Sequence, residues 1–206
     1  MGTDGSIVYA SWIPPGLYHV KSTGGTPALI GKPDPTKGER ALAWPELLPG
    51  AQWIVFTILS DSEPEGRIVA QSLRSGERKM LLEQAMNAQY SSTGHLIFSR
   101  KNNLMTVPFD IRRIEVTGSP KLVVENIART RYGAAQFTFS ELPFLYLKPS
   151  PTGKAERSLV WVDRAGHVEP LRTRPRAYRN PSLSPDGQRL AEISGCTTCV
   201  ATVGQG

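Results

Sequence analysis

The chain has 206 residues, a formal net charge of +6 and 39% hydrophobic residues. That length and apolar content suffice for a domain with a sizeable core and exclude a disordered chain, and the charge is small for a nucleic-acid binder. No apolar run approaches the roughly 18 residues that a membrane-spanning helix needs. The start, Met1-Gly2-Thr3-Asp4-Gly5-Ser6, lacks the basic and apolar regions of a signal peptide. The sequence as written is therefore expected in the cytoplasm, with an extracytoplasmic parent protein left open. The 19 glycines and 17 prolines are spread along the chain, the punctuation of many short elements joined by turns.

From Ser6 the chain reads SIVYASW, GLYHV and TPALI, short runs rich in β-branched and aromatic residues and separated by Pro or Gly, which predicts three strands. The same order then returns. After Pro49-Gly50 come WIVFTI, RIVAQSL and KMLLE; after Thr93-Gly94 come HLIFSR, NLMTVPF and KLVVE; after Leu142-Pro143 come FLYLK, SLVWVD and HVEPL. A further turn, Ser184-Pro185-Asp186-Gly187, opens one more unit. Its chemistry is local: Pro185 fixes φ, Asp186 bonds back to backbone amides and Gly187 accepts a positive φ. Aligned on these turns, Asp4, Gly50, Thr93, Leu142 and Asp186 form one column with a period of about 43 to 49 residues, within the range of propeller blades. The stretch closest to a helical pattern, LLEQAMNAQ near residues 81 to 89, is expected to be an outer strand's end and a connection.

Each unit also has a strand ahead of its turn: ALAWPELL, NAQYSS, GAAQFTFS and RNPSLS. In register they set Trp44, Asn87, Gln136 and Asn180 in one column and Pro45, Ala88, Phe137 and Pro181 in the next. These strands would line a central channel, and the columns read first as structural punctuation. The prediction is an all-β fold, a β-propeller of about four four-stranded blades. It is expected to occupy residues 1–193, with blade turns near 4, 50, 93, 142 and 186.

The stretch NPSLSPDGQRLAEI, residues 180–193, resembles the TolB-like, WD40-like β-propeller repeat of bacterial proteins. The stretches STGHLIFSRKNNLMTVPFDIRRIEVTGSP, GAAQFTFS and SLVWVDRAGHVEPL are similar to a narrower branch, the propellers fused to bacterial serine/threonine protein kinases and some transcriptional regulators. The likeness runs to about residue 193 and implies a fold but no particular activity, since propellers host scaffolds, sensors and enzymes. Two departures stand out. The third turn reads Ser140-Glu141-Leu142-Pro143 where an acidic residue followed by Gly is expected, and the tail SGCTTCVATVGQG, residues 194–206, is expected to leave the blade. The resemblance thus implies a fragment of a ring of about six blades. Closure is expected in one of two ways. Residues 177–184 would supply the inner strand missing from the first unit, leaving 188–206 surplus, or two chains would complete each other as a homodimer.

The candidates for chemistry are few. Cys196 and Cys199 make a lone CxxC without the two further ligands a zinc site requires. His19, His95 and His167 fall on outer strands or turns, and no G-x-S-x-G elbow is present. No metal and no cofactor are expected. Asp61, Glu63 and Glu65 crowd the loop SDSEPEG, which reads as a solvated acidic loop. Glu46 lies near the channel strand and is the one carboxylate placed for catalysis, with Gln136 and Asn180 as polar neighbours; a channel hydrolase acting on a glycoside or ester is the enzymatic alternative.

Basic residues are better organised. The connections NIARTRYGAAQ and LRTRPRAYRNP carry Arg129 and Arg131 in one, and Arg172, Arg174, Arg176 and Arg179 in the other, with Tyr132 and Tyr178 interleaved and no acid between. Successive connections of this kind emerge on one face of a propeller, and guanidinium groups bind carboxylate or phosphate in bidentate geometry. The expected function is a binding module without catalysis of its own. Its expected partners are a protein, a peptide or a small anionic ligand.

Overall fold

The computed structural model describes residues 5–130, 133–139, 144–149, 156–162, 167–171, 174–183, 189–194 and 197–202. The chain divides into two compact units, Met1–Lys101 with Met105–Lys121, and Asn102–Leu104 with Leu122–Gly206. The described residues are β-strands and connections, with one short 3₁₀ turn at Pro35–Lys37.

Three sheets run through the first part of the chain. Strands β1 (Ser6–Trp12), β2 (Pro15–Lys21) and β3 (Ala28–Gly31) form one, in that order. Strands β4 (Glu39–Leu47), β5 (Trp53–Ser60), β6 (Arg67–Ser72) and β7 (Arg78–Leu82) form the second. In the third, β8 (Met86–Ser91), β9 (His95–Arg100), β10 (Asn103–Asp110) and β11 (Glu115–Val116) follow one another, and β12 (Lys121–Val124) also pairs with β10. Two sheets follow: β13 (Phe137–Phe139), β14 (Phe144–Pro149), β15 (Arg157–Val162) and β16 (Val168–Pro170), then β17 (Tyr178–Leu183), β18 (Arg189–Ser194) and β19 (Thr197–Thr202). Neighbours in chain order pair antiparallel in each sheet, as hairpin-connected strands do. Gly50 and Gly94 sit in two of the hairpin turns with φ of 86° and 76°, a conformation that costs glycine little.

Every apolar run singled out in the sequence contributes described residues to a strand, and two details differ from expectation. The outer edge of the third sheet is split between the two-residue β11 and KLVVE, which joins β10 as β12. Residues Thr197–Thr202, expected to leave the blade, instead pair with β18 from Arg189↔Thr202 to Ser194↔Thr197, and β17 pairs with β18 on its other side. The reason is compositional: TTCVAT is rich in β-branched residues and suits a strand. The third turn, residues 140–143, lies outside the described residues.

In the first unit the second sheet is a wall between two cores. Ile54, Phe56, Ile58 and Val69 pack with Leu17 and Leu42, against which Val8, Ala10 and Ile30 also rest. Val55, Ile68 and Ala70, whose side chains alternate to the other face, pack with Leu96, Phe98, Val107 and Phe109. A strand buried on both faces needs no polar side, which is why WIVFTI reads as continuous apolar sequence. In the second unit Ala128, Leu159 and Tyr178 form a smaller core, with Trp161 and Leu171 packed against it.

The innermost strands share a distortion. The ladder of β4 slips between Ala43 and Glu46, and Trp44 there has φ 49°; that of β8 slips between Met86 and Gln89, where Asn87 has φ 54°. The ladder of β17 slips between Arg179 and Ser182. These are β-bulges, and they fall on the column Trp44, Asn87 and Asn180. Asn tolerates the left-handed region, whereas a Trp held there is strained.

The bulge exposes backbone amides of β8 on the side away from β9, and the second sheet covers them. The Asn87 N–H donates to Thr57 Oγ1 at 2.9 Å, and the Tyr90 N–H donates to Glu46 Oε1 at 2.6 Å. Thr57 is wholly buried, so the isosteric Thr57→Val leaves a buried amide without its acceptor. The expected loss is about 1 to 3 kcal/mol in urea unfolding. Thr57→Ser should restore most of it. Equal stability of Thr57→Val and wild type would rule out the bond as a structural element.

Candidate functional site

Two acidic residues on β4 are drawn into the structure, and they are treated differently. Glu39, at the start of the strand, is nearly buried and fully engaged. Its Oε2 accepts from Arg78 Nη1 at 3.2 Å and from the Asp34 N–H at 2.9 Å. Arg78 also donates to Gln71 Oε1 and the Lys32 carbonyl, and Gln71 donates to the Ile30 carbonyl at 2.6 Å. This network ties the β3–β4 connection to β6 and β7, and a satisfied buried network of this kind is bracing rather than a reactive group.

Glu46, seven residues on, receives the Tyr90 N–H and forms no ion pair with a side chain among the described residues. Although it keeps some contact with solvent, the packing around its carboxyl pushes its pKa up from the ordinary 4.5 to about 7, against the lowering effect of the Tyr90 bond. No neighbouring side-chain charge contributes. Paired-carboxylate catalysis needs two acids set apart by their environments, and among the described residues no second acid acts on Glu46.

The basic connections lie in the second unit, and the structure sorts their residues. Arg174 and Arg176 are exposed, and neither forms an ion pair with an acid among the described residues. The loop that carries them is held firmly. The Arg157 N–H donates to the Arg176 carbonyl at 2.7 Å, and the Arg176 N–H donates back to the Arg157 carbonyl at 3.2 Å. Tyr178 lies in the core with 4% exposure, and its hydroxyl donates to the Arg174 carbonyl at 2.6 Å. Its own carbonyl accepts from Arg157 Nη1 at 3.1 Å. Tyr178 therefore anchors the loop instead of presenting a ring to a ligand.

In the other connection, Arg129 is half-buried and its Nε donates to the Gly133 carbonyl at 2.8 Å, bracing its own loop. Gln136 is buried, and its N–H donates to the Ala128 carbonyl. Arg131, Tyr132 and Arg172 lie outside the described residues, as do the side chains of Arg179 and Asn180, whose backbones belong to β17. Arg157, at the start of β15, is the member that sequence reading missed. It brings a third guanidinium to the anchored loop, and only the antiparallel bridge to Arg176 shows it there.

Other groups carry less. Asp61 and Glu63 are exposed, Asp61 meeting Arg40 at 2.8 Å and Glu63 the half-buried Arg67 at 3.6 Å, which fits a solvated acidic loop. Among the described residues no three of His, Cys, Asp and Glu converge, and Cys196 lies outside them, as does the side chain of Cys199. An open groove of about 500 Å³ runs between Lys79, Met80 and Leu81 of β7 and Ile114, Glu115 and Val116 around β11. No helix among the described residues is long and apolar enough to cross a membrane.

No protein-family model matches the chain, and no curated protein matches it. Solved structures do. The crystal structure of TolB from Acinetobacter baumannii matches with a TM-score of 0.64 at 15% identity, over 96% of this chain and 50% of that one. A calcium-binding protein, regucalcin, from Agrobacterium tumefaciens str. C58 matches at 0.63 and 17%, over 93% and 65%. Puromycin hydrolase matches at 0.63 and 15%, over 87% of this chain and 29% of that one. The fold is that of a β-propeller. Within that class the chain is similar to the TolB-like propellers, a putative TolB from Agrobacterium tumefaciens among them. The chain spans from under a third to just under two thirds of the length of these three proteins. Nothing in the comparisons supports the narrower kinase-linked branch.

The raised pKa of Glu46 has a signed consequence. A carboxyl with a higher pKa folded than unfolded binds more protons in the folded state between about pH 4.5 and 7, so its contribution to stability falls as pH rises through that window. Glu46→Gln stays neutral and keeps an acceptor for Tyr90. Its stability relative to wild type is expected to rise between pH 4.5 and 7 and then level off, as read from urea midpoints across that range. A difference that does not change with pH would contradict the assignment.

Proposed function

We propose that the protein is a binding module without catalysis of its own, and that the loop carrying Arg174 and Arg176 holds an acidic protein or peptide. One observation carries the reading: two exposed guanidiniums without an acidic partner among the described residues stand on a loop fixed by Arg157 and Tyr178. Anchoring the loop lowers the ordering cost of binding, and an arginine fork grips a carboxylate with two parallel bonds. Arg157 and Arg129 extend the basic surface in this reading, while Gln136 and Tyr178 hold its floor. A small anionic ligand would use the same forks.

The enzymatic alternative rests on Glu46, whose raised pKa suits general acid or base work near neutral pH. The neighbours' names span a calcium-binding protein and a hydrolase, so the fold alone does not choose an activity. The anchored pair of exposed arginines favours the binding reading.

A labelled hexaglutamate peptide separates the two. Anisotropy titration should show saturable, salt-sensitive binding that weakens about tenfold in the Arg174→Ala, Arg176→Ala double variant and is unchanged in Glu46→Gln. Binding that ignores the arginines would overturn the proposal, and so would turnover of a glycoside or ester substrate lost in Glu46→Gln.

A further inference from the structure

In the first unit, the outer strands of the second and third sheets border a common groove. Strand β7 ends the order β4-β5-β6-β7, and β11 ends the path that runs from β8 through β9 and β10. The groove, about 500 Å³, has Lys79, Met80 and Leu81 on one wall and Ile114, Glu115 and Val116 on the other. Side chains alternate along a strand, so three consecutive residues of β7 mean that its edge, and not one of its faces, borders the groove. Among the described residues β7 pairs with β6 alone, which leaves backbone groups open on that edge.

Both walls are braced. Lys79 Nζ donates to the Arg113 carbonyl at 3.2 Å, tying one wall to the other, and lies 5.7 Å from the centroid of the Trp53 ring. Asp110 Oδ1 accepts the N–H groups of Arg112 and Arg113 at 2.8 and 3.1 Å, which fixes the β10–β11 turn. Ile114 closes that turn at φ 54°, where the β6–β7 turn has Gly76 at φ 74°. A β-branched residue is strained in this region, and strain of this kind collects at binding sites. The Ile114 side chain is 4% exposed and packs in the core cluster on which Leu81 and Val116 also rest, so it gives the groove an apolar floor. Met80 beside it is 49% exposed.

Charge gathers at the turn end. Arg112 and Arg113 are exposed there; Arg113 meets Asp110 only at 3.8 Å, and Arg112 forms no ion pair among the described residues. Lys79 is the third cation, against Glu115 and an Asp110 already engaged by the turn's own amides; Arg74 and Glu77 of the β6–β7 turn add one charge of each sign. We propose that this groove holds an extended segment of a protein partner, a few apolar residues followed by acids, added antiparallel to the β7 edge. Antiparallel addition carries the segment's C-terminal end to the cations, because β7 starts beside them. The β7 backbone supplies main-chain bonds, Met80, Leu81 and Val116 receive the apolar side chains, and Lys79, Arg112 and Arg113 receive the carboxylates. The arginine loop of the proposed function belongs to the second unit, so the two sites are tested separately.

The test is anisotropy titration of the full chain with a fluorescein-labelled peptide, TVTVDD, against the control TVTVKK. Saturable binding of TVTVDD alone is expected. It should weaken about tenfold in Met80→Asp and in the Arg112→Glu, Arg113→Glu double variant, all at exposed positions, and stay unchanged in the Arg174→Ala, Arg176→Ala double variant. Hydrogen exchange at the Arg78–Leu82 amides that β6 leaves open should slow about tenfold with peptide. Lack of saturation up to about 1 mM, equal binding of TVTVKK, or loss of binding through Arg174 and Arg176 would overturn the proposal. So would a dimer in light scattering that Met80→Asp dissolves, since it would place a second copy of the chain in the groove.

Discussion

The inner strand β8 pairs with β9 along one edge, and along the other its amides meet side chains of the preceding sheet. Thr57 receives the Asn87 N–H and Glu46 receives the Tyr90 N–H. An unpaired buried amide costs about as much as a lost hydrogen bond, so these acceptors decide whether a sheet can end in a buried edge at all. Their spacing also fixes register between sheets. Thr57 lies on β5 and Glu46 on β4, so the two bonds grip β8 in its bulge and just past it and set the facing apolar rows, Val55, Ile68 and Ala70 against Leu96, Phe98 and Val107.

Much of this fold was legible in the sequence because the repeating unit is small and its signals are local. Ile54-Val55-Phe56 and Leu96-Ile97-Phe98 advertise the same two-sided burial, and Gly50 and Gly94 mark where the chain reverses. The column of Trp44 and Asn87 was visible too, but not its backbone: nothing about Trp announces a positive φ, which tertiary packing imposes. The pairing of Thr197–Thr202 with β18 was hidden for a related reason. Six small and β-branched residues suit a strand wherever a partner edge is offered, and sequence alone does not show the offer.

The candidate site was half legible. Charge clustering located the loop of Arg174 and Arg176, yet Tyr178, which resembles a ligand-stacking residue in sequence, is a core residue whose hydroxyl fastens that loop. Arg157 braces the same loop from an earlier strand, and only the bridge to Arg176 brings it there. Glu39 and Glu46 look alike along β4. Arg78 on β7 reaches Glu39 and braces it, whereas burial pushes the Glu46 carboxyl up toward neutral pKa. The β-propeller fold supplies the frame on which these side chains sit, and their chemistry carries the functional reading.

The most direct measurement is native-state hydrogen exchange at the amides of Asn87 and Tyr90. Neither bond belongs to a backbone ladder, so a free strand edge would let both exchange rapidly. If Thr57 and Glu46 hold these amides as the geometry indicates, both should exchange only through opening of the whole unit, at rates matching the ladder amides of β9. Exchange at the rate of an exposed edge would contradict the seam on which the packing of these sheets depends.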